Sequence, residues 1–453
     1  MDWYELQAEN MISKYLKIYD DFASKNREVF ERASKVLPGG AVYHIRFFHP
    51  YPTYIVRAKD TYVWDVSGNR YDDYWMGHGT HILGHAPDFI IDRVYEVSRY
   101  GTHFGFENIY AIEYAELLTR IVPNCDMIKF TNSGTEANMY AIRLARAYTK
   151  KRFIIKIRGG WHGGLDQIHT GVSPPFSGPE SAGLPEDLIK YTLLVSYNDL
   201  NEMEKALKMY DVAAVIIEPV PGAGGCIEPM DGYLKGVREL TDRYGSLLIF
   251  DEVITGFRLA LGGAQEYFNV KADIITMGKI VGGGMPGAGA FGGRRDIMEL
   301  LNHVKYPEPR ARSFHGGTFA GNPVTIVAGL TMINYLSRNR ERYGSFNEMW
   351  SSVARKLDRL CEEYDRVCWI TNVGSIIGVH FTKSKPRNVE DAYYLRYGSK
   401  IYEALHLFMR VNRILYLSEK MPHFMPSMIH TREQSEKLVE TFAKFLDELK
   451  LQR

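Results

Sequence analysis

Cysteine is scarce. Cys125, Cys226, Cys361 and Cys368, four in 453 residues, are too few for a disulfide framework, and their spacing fits no zinc pattern or other metal-ligand set. They read as buried or incidental thiols of a reducing compartment, the cytoplasm. Net charge is scarce too: 55 basic against 54 acidic residues leave +1. Such a chain has no electrostatic reason to bind nucleic acid or an acidic membrane surface. No apolar run reaches the roughly 18 residues of a membrane span. The amino terminus, MDWYELQAENMISKYLKIYDDF, carries acids throughout and lacks the apolar core of a signal peptide or anchor. Internal repeats and low-complexity tracts are missing.

What is there is an ordinary globular composition, 45% hydrophobic and 24% charged, in a chain long enough for roughly two to three domains. Residues 2–36 carry apolar positions at three- and four-residue steps, predicting a helix that Leu37-Pro38-Gly39-Gly40 stops. Short strands follow at Thr53–Val56 and Thr61–Asp65, with a turn at Ser67-Gly68-Asn69 and then Tyr71–Trp75. From about Ile82 helices alternate with apolar strands at Asp126–Phe130, Phe153–Ile157, Ala213–Glu218, Leu247–Asp251 and Ile274–Met277. That alternation predicts an α/β fold with a mostly parallel sheet covered on both faces. A Pro/Gly/Ser stretch from Gly171 to Pro185 predicts a lid, a binding loop or disorder. Helices are expected at Glu136–Thr149, Pro323–Ser337, Arg338–Tyr364 and Asp391–Phe408, and Cys368–Phe381 reads as strand. Thr431 and Gln434 form a capping-box pattern for a last helix, whose apolar stripe of Leu438, Val439, Phe442, Phe445, Leu446 and Leu449 is core. The divisions are residues 1–80, 81–335 and 336–453, the two ends building a smaller domain around a large central one.

Several motifs carry chemistry. Thr131-Asn132-Ser133-Gly134-Thr135-Glu136 follows a strand and opens a helix, where free N–H groups and the macrodipole suit a phosphate. A simple N-cap by Ser133 or Thr135 is the alternative. Gly159-Gly160-Trp161-His162-Gly163-Gly164 lets backbone approach a flat ligand on which Trp161 could stack; a tight turn around a packed Trp is the other reading. Glu218 and Asp251 end buried strands, where an acid is expensive unless paired or functional. Lys279 follows an apolar strand and precedes glycines, so desolvation can lower its basicity, as imine formation requires. Asp251 and Lys279 fall at the carboxyl ends of two strands, the rim where α/β sheets bind ligands. A pyridine-aldehyde cofactor needs that pairing: an amine for the aldehyde and an acid for the ring nitrogen.

His315-Gly316-Gly317-Thr318 is a further glycine loop opening a helix, able to offer phosphate donors. Gly278-Lys279 is no P-loop, because Asp273 stands where the first glycine is needed and Ile280 replaces Ser or Thr. Gly287–Gly292 matches the dinucleotide pattern GxGxxG without a strand–turn–helix context, and is the sole basis for a nicotinamide-dependent oxidoreductase.

Taken in order, NSGTEANMYAIRLARAYT, YGSLLIFDEVITGFRLALGGAQEYF, MGKIVGGGMP and GTFAGNP resemble the class-III aminotransferases, fold-type I pyridoxal-phosphate (PLP) enzymes, and among them the glutamate-1-semialdehyde 2,1-aminomutases. The resemblance spans about Leu37 to Ala328. It implies a seven-stranded, mostly parallel sheet plus a smaller α+β domain, PLP as cofactor, a small amino or keto substrate, and a homodimer. Lys279 corresponds to the Schiff-base lysine and Asp251 to the partner of the ring nitrogen. Ser133, Gly134 and Thr135 correspond to the phosphate cup. Trp161 corresponds to the stacking aromatic, followed by His162, and Val253 packs on the opposite ring face. Glu218 stands near the cofactor. Thr318 reaches the phosphate of the other subunit, and Arg46, six residues after Gly40, binds the substrate carboxylate.

Departures from the aminomutase pattern cluster where substrate would lie. They are Trp161-His162-Gly163-Gly164 in place of Tyr-His-Gly-His, Val220–Gly225 after Glu218-Pro219, an extra residue within Met285–Gly289, and Pro422 where a Glu is usual. The expected activity is amino-group transfer on an amino-acid-like carboxylate. A true aminomutase, returning the amine to the neighbouring carbon of the same molecule, is the alternative.

Overall fold

The computed structural model describes residues 3–416 and 420–450. The chain forms two compact units. One comprises Met1–Pro87, Phe346–Pro386 and Ala392–Arg453; the other comprises Asp88–Ser345 with Arg387–Asp391.

The first unit opens with a helix, Trp3–Ala33, whose predicted start at Asp2 lies outside the described residues. The helix stops at Ala33, short of the expected residue 36, and turn residues 34–36 lead to Leu37-Pro38-Gly39-Gly40, where both glycines take positive φ (69° and 66°), a conformation that side chains resist. Three antiparallel strands follow, Ile55–Lys59 (β1), Tyr62–Asp65 (β2) and Arg70–Asp73 (β3).

The second unit holds seven strands. They are Met127–Thr131 (β4), Phe153–Ile157 (β5), Thr192–Val195 (β6), Val212–Ile217 (β7), Leu247–Asp251 (β8), Ile274–Gly278 (β9) and Gly289–Gly293 (β10). Their order is β4-β10-β9-β8-β7-β5-β6. β5 to β9 pair in parallel, and β10 runs antiparallel to both β4 and β9. This is the expected mostly parallel seven-stranded sheet. β6 and β10 lack a strong strand signature: one is a four-residue TLLV and the other, GAFGG, is mostly glycine, so neither has the β-branched runs of its neighbours. Every residue of β7, β8 and β9 is buried. Helix Gly134–Thr149 covers the sheet through Ala137, Ala141 and Leu144, packed with Ile216, Ile249, Ile274 and Phe291. Each fully buried aliphatic side chain contributes about 1.5–3 kcal/mol.

The chain then returns to the first unit. A hairpin of Trp369–Val373 (β11) and Ile376–His380 (β12) turns at Gly374 and pairs with His423–Phe424 (β14), while Ile414–Leu415 (β13) extends the first sheet along β3. The stretch expected as one helix over Asp391–Phe408 is two, Val389–Tyr394 and Lys400–Val411. Helix Arg432–Lys450 has the capping box: Thr431 Oγ1 accepts from Gln434 N at 3.2 Å, and Gln434 Oε1 accepts from Thr431 N at 3.0 Å.

The expectation for two of the cysteines changes. Cys361 and Cys368 are not free thiols but a buried disulfide, joining helix Arg342–Glu363 to the start of β11. The reversal between them uses Asp365 and Arg366 at positive φ, with no Gly or Pro to mark it. Cys125 and Cys226 are buried free thiols. The Gly171–Pro185 stretch is tied to itself, since Glu180 Oε1 accepts from the N–H groups of Val172 and Ser173 and Thr170 Oγ1 donates to Gly178 O. Among the described residues, no helix is long and apolar enough to cross a membrane.

Candidate active site

Strand register brings the singled-out residues of the second unit to one rim. Gly289 at the start of antiparallel β10 pairs with Thr131 at the end of β4 and with Gly278 at the end of β9. Asp251 at the end of β8 pairs with Thr276 of β9. The Thr131–Glu136 turn, Glu218, Asp251 and Lys279 therefore lie at the carboxyl ends of β4, β7, β8 and β9, with β10 between β4 and β9. This is where an α/β sheet exposes backbone and helix termini to a ligand.

The Ser133 turn is a helix cap. Ser133 Oγ accepts from Glu136 N at 3.2 Å, capping a 16-residue helix whose first N–H groups remain for an anion. The site is tight. A Cβ on Gly134 would lie 2.6 Å from a Val253 methyl, and one on Gly163 would lie 2.1 Å from Thr135 Oγ1. A Cβ on Gly278 would meet the other Val253 methyl at 3.0 Å. Val253 thus fills the space between the Ser133 turn and the strand that delivers Lys279. Asn132 Oδ1 is buried there without a hydrogen-bond partner.

Asp251 is 3% exposed and fully engaged. Its Oδ2 accepts from His162 Nδ1 and from Asn138 Nδ2, both at 2.8 Å, and its Oδ1 accepts from Val253 N at 3.1 Å. Asn138 in turn accepts from Thr276 Oγ1 at 2.6 Å and donates to His162 O at 3.1 Å. Burial lowers the His162 pKa against the opposing pull of Asp251, with the Lys156 charge adding to the lowering. A neutral His162 then keeps its proton on Nδ1, facing Asp251. His162 Nε2 is buried without a partner.

Glu218 accepts from Trp161 N at 2.8 Å and Gly222 N at 3.0 Å. Burial and the Asp251 charge push its pKa up to about 7, against the two N–H groups and Lys279. Lys279 has φ +50°, unusual for a residue with a Cβ. It keeps part of its surface accessible, although its amine lies deep among protein atoms. Burial lowers its basicity; Asp251 and Glu218 oppose this and the buried Arg258 guanidinium reinforces it. An amine made less basic by burial is a readier nucleophile than an exposed lysine.

The remaining expected residues are less concentrated. The Trp161 ring meets His169 edge-on at 5.6 Å. Thr318 is exposed on the wall of an open groove of about 980 Å³, and no contact within the chain draws it to Ser133. Arg46 belongs to the first unit, where it ends the turn His44–Arg46 with its guanidinium 5.9 Å from the Tyr43 ring. The GxGxxG segment runs into strand β10 and opens no helix, so it is not a dinucleotide turn.

Three residues that hold the centre escape sequence reasoning: Asn138, Thr276 and Lys156. The signal for each is a polar side chain inside an apolar, buried stretch. Lys156 in FIIKI is the strongest case, since a buried charge persists only when fully bonded.

Residues 46–446 match the family described as aminotransferase class-III. The glutamate-1-semialdehyde 2,1-aminomutase of Methanothrix thermoacetophila is 41% identical over 93% of this chain and 96% of its own length. The structure is similar to that of an omega-transaminase from Sphaerobacter thermophilus (TM-score 0.88, 30% identity, 95% and 99% of the two chains covered). A β-phenylalanine aminotransferase from Variovorax paradoxus is also similar (TM-score 0.86, 29% identity, 97% of each chain).

Proposed function

The chain belongs to the class-III aminotransferases, PLP-dependent enzymes, and from that premise we propose that it moves an amino group on an amino-acid-like carboxylate, with Lys279 as the cofactor-bearing lysine. The observation that carries this reading is the amine of Lys279, desolvated within electrostatic reach of Asp251 and Glu218 on the rim that also bears the Ser133 cup. The donor set fits PLP. The helix start at Ser133, Gly134 and Thr135 matches a phosphate, the engaged carboxylate of Asp251 matches a protonated ring nitrogen, and Val253 offers an apolar face between them.

When bound, PLP supplies an electron sink for the carbon that carries the amino group. The chain does the rest. Lys279 Nζ would hold the cofactor and would move the proton at the reacting carbon as general base. Asp251, oriented by His162 and Asn138, would keep the ring nitrogen protonated. Trp161 and Val253 would pack on the cofactor ring. Arg46 anchors the substrate carboxylate through its guanidinium fork.

The working unit is a homodimer in this proposal, Thr318 binding the phosphate of the other subunit. Supporting it, Thr318 lies on a groove beside Phe106, which is 88% exposed, and neighbouring Phe319 and Ile109 are 57% and 58% exposed, an apolar surface that a second copy would cover. The reading keeps the enzyme in the cytoplasm, the Cys361–Cys368 pair being fully buried and so shielded from soluble reductants.

A true aminomutase, converting glutamate-1-semialdehyde to 5-aminolevulinate, is favoured by the name of the Methanothrix relative. One experiment tests both readings: incubation with glutamate-1-semialdehyde alone, then with α-, β- and ω-amino acids plus keto acids. Conversion without an acceptor identifies a mutase, and turnover that requires an acceptor identifies a transaminase. No amino transfer under either condition contradicts the proposal.

A further inference from the structure

Lys156 lies in the middle of β5 and is 0% exposed. A buried ammonium is costly unless every hydrogen is bonded. Its Nζ donates to three carbonyls and to no carboxylate: Gly160 O at 2.9 Å, Ile168 O at 3.1 Å and Thr170 O at 2.9 Å. An ammonium has three hydrogens, so its whole donor capacity is used. All three acceptors lie on the excursion between β5 and the Gly171–Pro185 stretch, the segment that carries Trp161 and His162. Burial pushes the amine down to about 8, with Glu218 and Glu180 opposing, so it is still charged at neutral pH.

Within itself the excursion makes few backbone bonds: Gly160 N to Ile157 O, Ile168 N to Leu165 O and His169 N to Asp166 O. From outside, Gly159 N donates to Gly171 O and Glu180 N to His169 O, Glu218 accepts from Trp161 N, Asn138 and Asp251 hold His162, and Thr192 Oγ1 donates to Gln167 O. Gly159 and Gly163 take positive φ. Such a segment opens locally unless something ties its ends. Lys156 ties both: Gly160 immediately precedes Trp161, and Ile168 and Thr170 close the far end.

We propose that Lys156 is a positioning residue for the amino-transfer centre: its ammonium pins the Gly160–Thr170 loop from beneath, fixing Trp161 and His162 against the ring and the Asp251 carboxylate. This rests on the PLP reading of the rim. An apolar side chain of similar length would fill the space but bond none of the three carbonyls. Arginine would keep the charge but present a planar fork where three diverging hydrogens are needed.

The test uses full-length wild type, Lys156→Met and Lys156→Arg. Hydrogen exchange is followed at the amides of Gly160, Trp161, Ile168 and His169, with β8 (Leu247–Asp251) as internal control, and PLP affinity is read from the absorbance of bound cofactor. Expected for Lys156→Met are at least about tenfold faster exchange at those four amides, β8 within about twofold of wild type, and roughly tenfold weaker PLP binding. If Lys156→Met does not fold, Lys156→Arg decides, with the same local loosening at reduced size. Wild-type exchange in the loop of a folded variant overturns the proposal. So does equal acceleration in loop and β8, which would make the lysine a general stabiliser, and so does a loosened loop with unchanged PLP affinity. A wild-type protein that binds no PLP would instead overturn the function proposed above, and the exchange result would still be readable by itself.

Discussion

Each unit of this protein holds a buried aspartate bonded to a histidine, and the two have different neighbours. In the first unit Asp73 Oδ2 lies 2.7 Å from His85 Nε2, and its Oδ1 accepts from Trp75 N at 2.7 Å and Met76 N at 3.0 Å. In the second unit Asp251 bonds His162 at 2.8 Å. Asp73 caps a run of residues with positive φ, Met76, Gly77, His78 and Gly79, holding a strained turn in place. Burial would raise its pKa, but His85 and the two N–H groups overcome this and leave it below the ordinary carboxylate range. Asp251 has the same kind of bonds but sits beside Glu218, pushed up to about 7, and Lys279, pushed down. In the proposed reading the first pair is a lock and the second a working part, the neighbours Glu218 and Lys279, with pKa values driven toward neutral pH, marking the second.

Substitutions sharpen that contrast. Lys279→Ala should give the largest effect, a loss of about 10,000-fold in turnover with unfolding stability little changed, checked by kinetics beside urea denaturation. Asp73→Ala should cost about 3–4 kcal/mol of stability, because it strands buried His85 and the turn N–H groups, while PLP bound per folded molecule stays at the wild-type level. Asp251→Asn should shift the balance toward turnover: about 100-fold in turnover and about 1–3 kcal/mol in stability, since the amide NH2 replaces one acceptor and leaves one buried donor unmatched. If both aspartate variants lost stability alone, the distinction between lock and working part would fall.

The pH dependences should run in opposite directions. The Asp73 pKa is lower in the folded protein than in the unfolded chain, so its contribution is present above the unfolded value and is lost as pH falls through the folded one. The Glu218 pKa is raised from its ordinary 4.5 to about 7, so the folded state holds a proton that the unfolded chain releases. Stability attributable to Glu218 therefore falls as pH rises from about 4.5 through 7, by about 3 kcal/mol. Glu218→Gln should flatten that part of a stability-versus-pH curve, and an unchanged slope would count against the assignment. The buried Glu252, also pushed to about 7, retains the rest of the slope. The smallest effect is expected at a purely structural device: Thr431→Ala removes one arm of the capping box and should cost about 1 kcal/mol in the same denaturation assay.

Much of the sheet is legible in the sequence. β5 and β8 coincide with their predicted limits and β4, β7 and β9 differ by a residue, because buried parallel strands are short apolar runs between helices. β10 was not readable, since glycines chosen for close approach, as at Gly289 against Ser133 O, erase the apolar signal. In the candidate site, Asp251 and Lys279 could be seen as charges at strand ends, but their partners could not. Asn138 reaches Asp251 across 113 residues, and one chain carries no sign of that pairing. The Cys361–Cys368 bond was hidden for a related reason: positive φ at Asp365 and Arg366 makes the reversal, and neither residue type announces it.

The account stands most directly on the identity of one amine. Wild-type enzyme loaded with PLP and reduced with borohydride should carry the cofactor on the peptide containing Lys279, and Lys279→Ala should carry none. Label on Lys156 or any other lysine, or label persisting in Lys279→Ala, would contradict it.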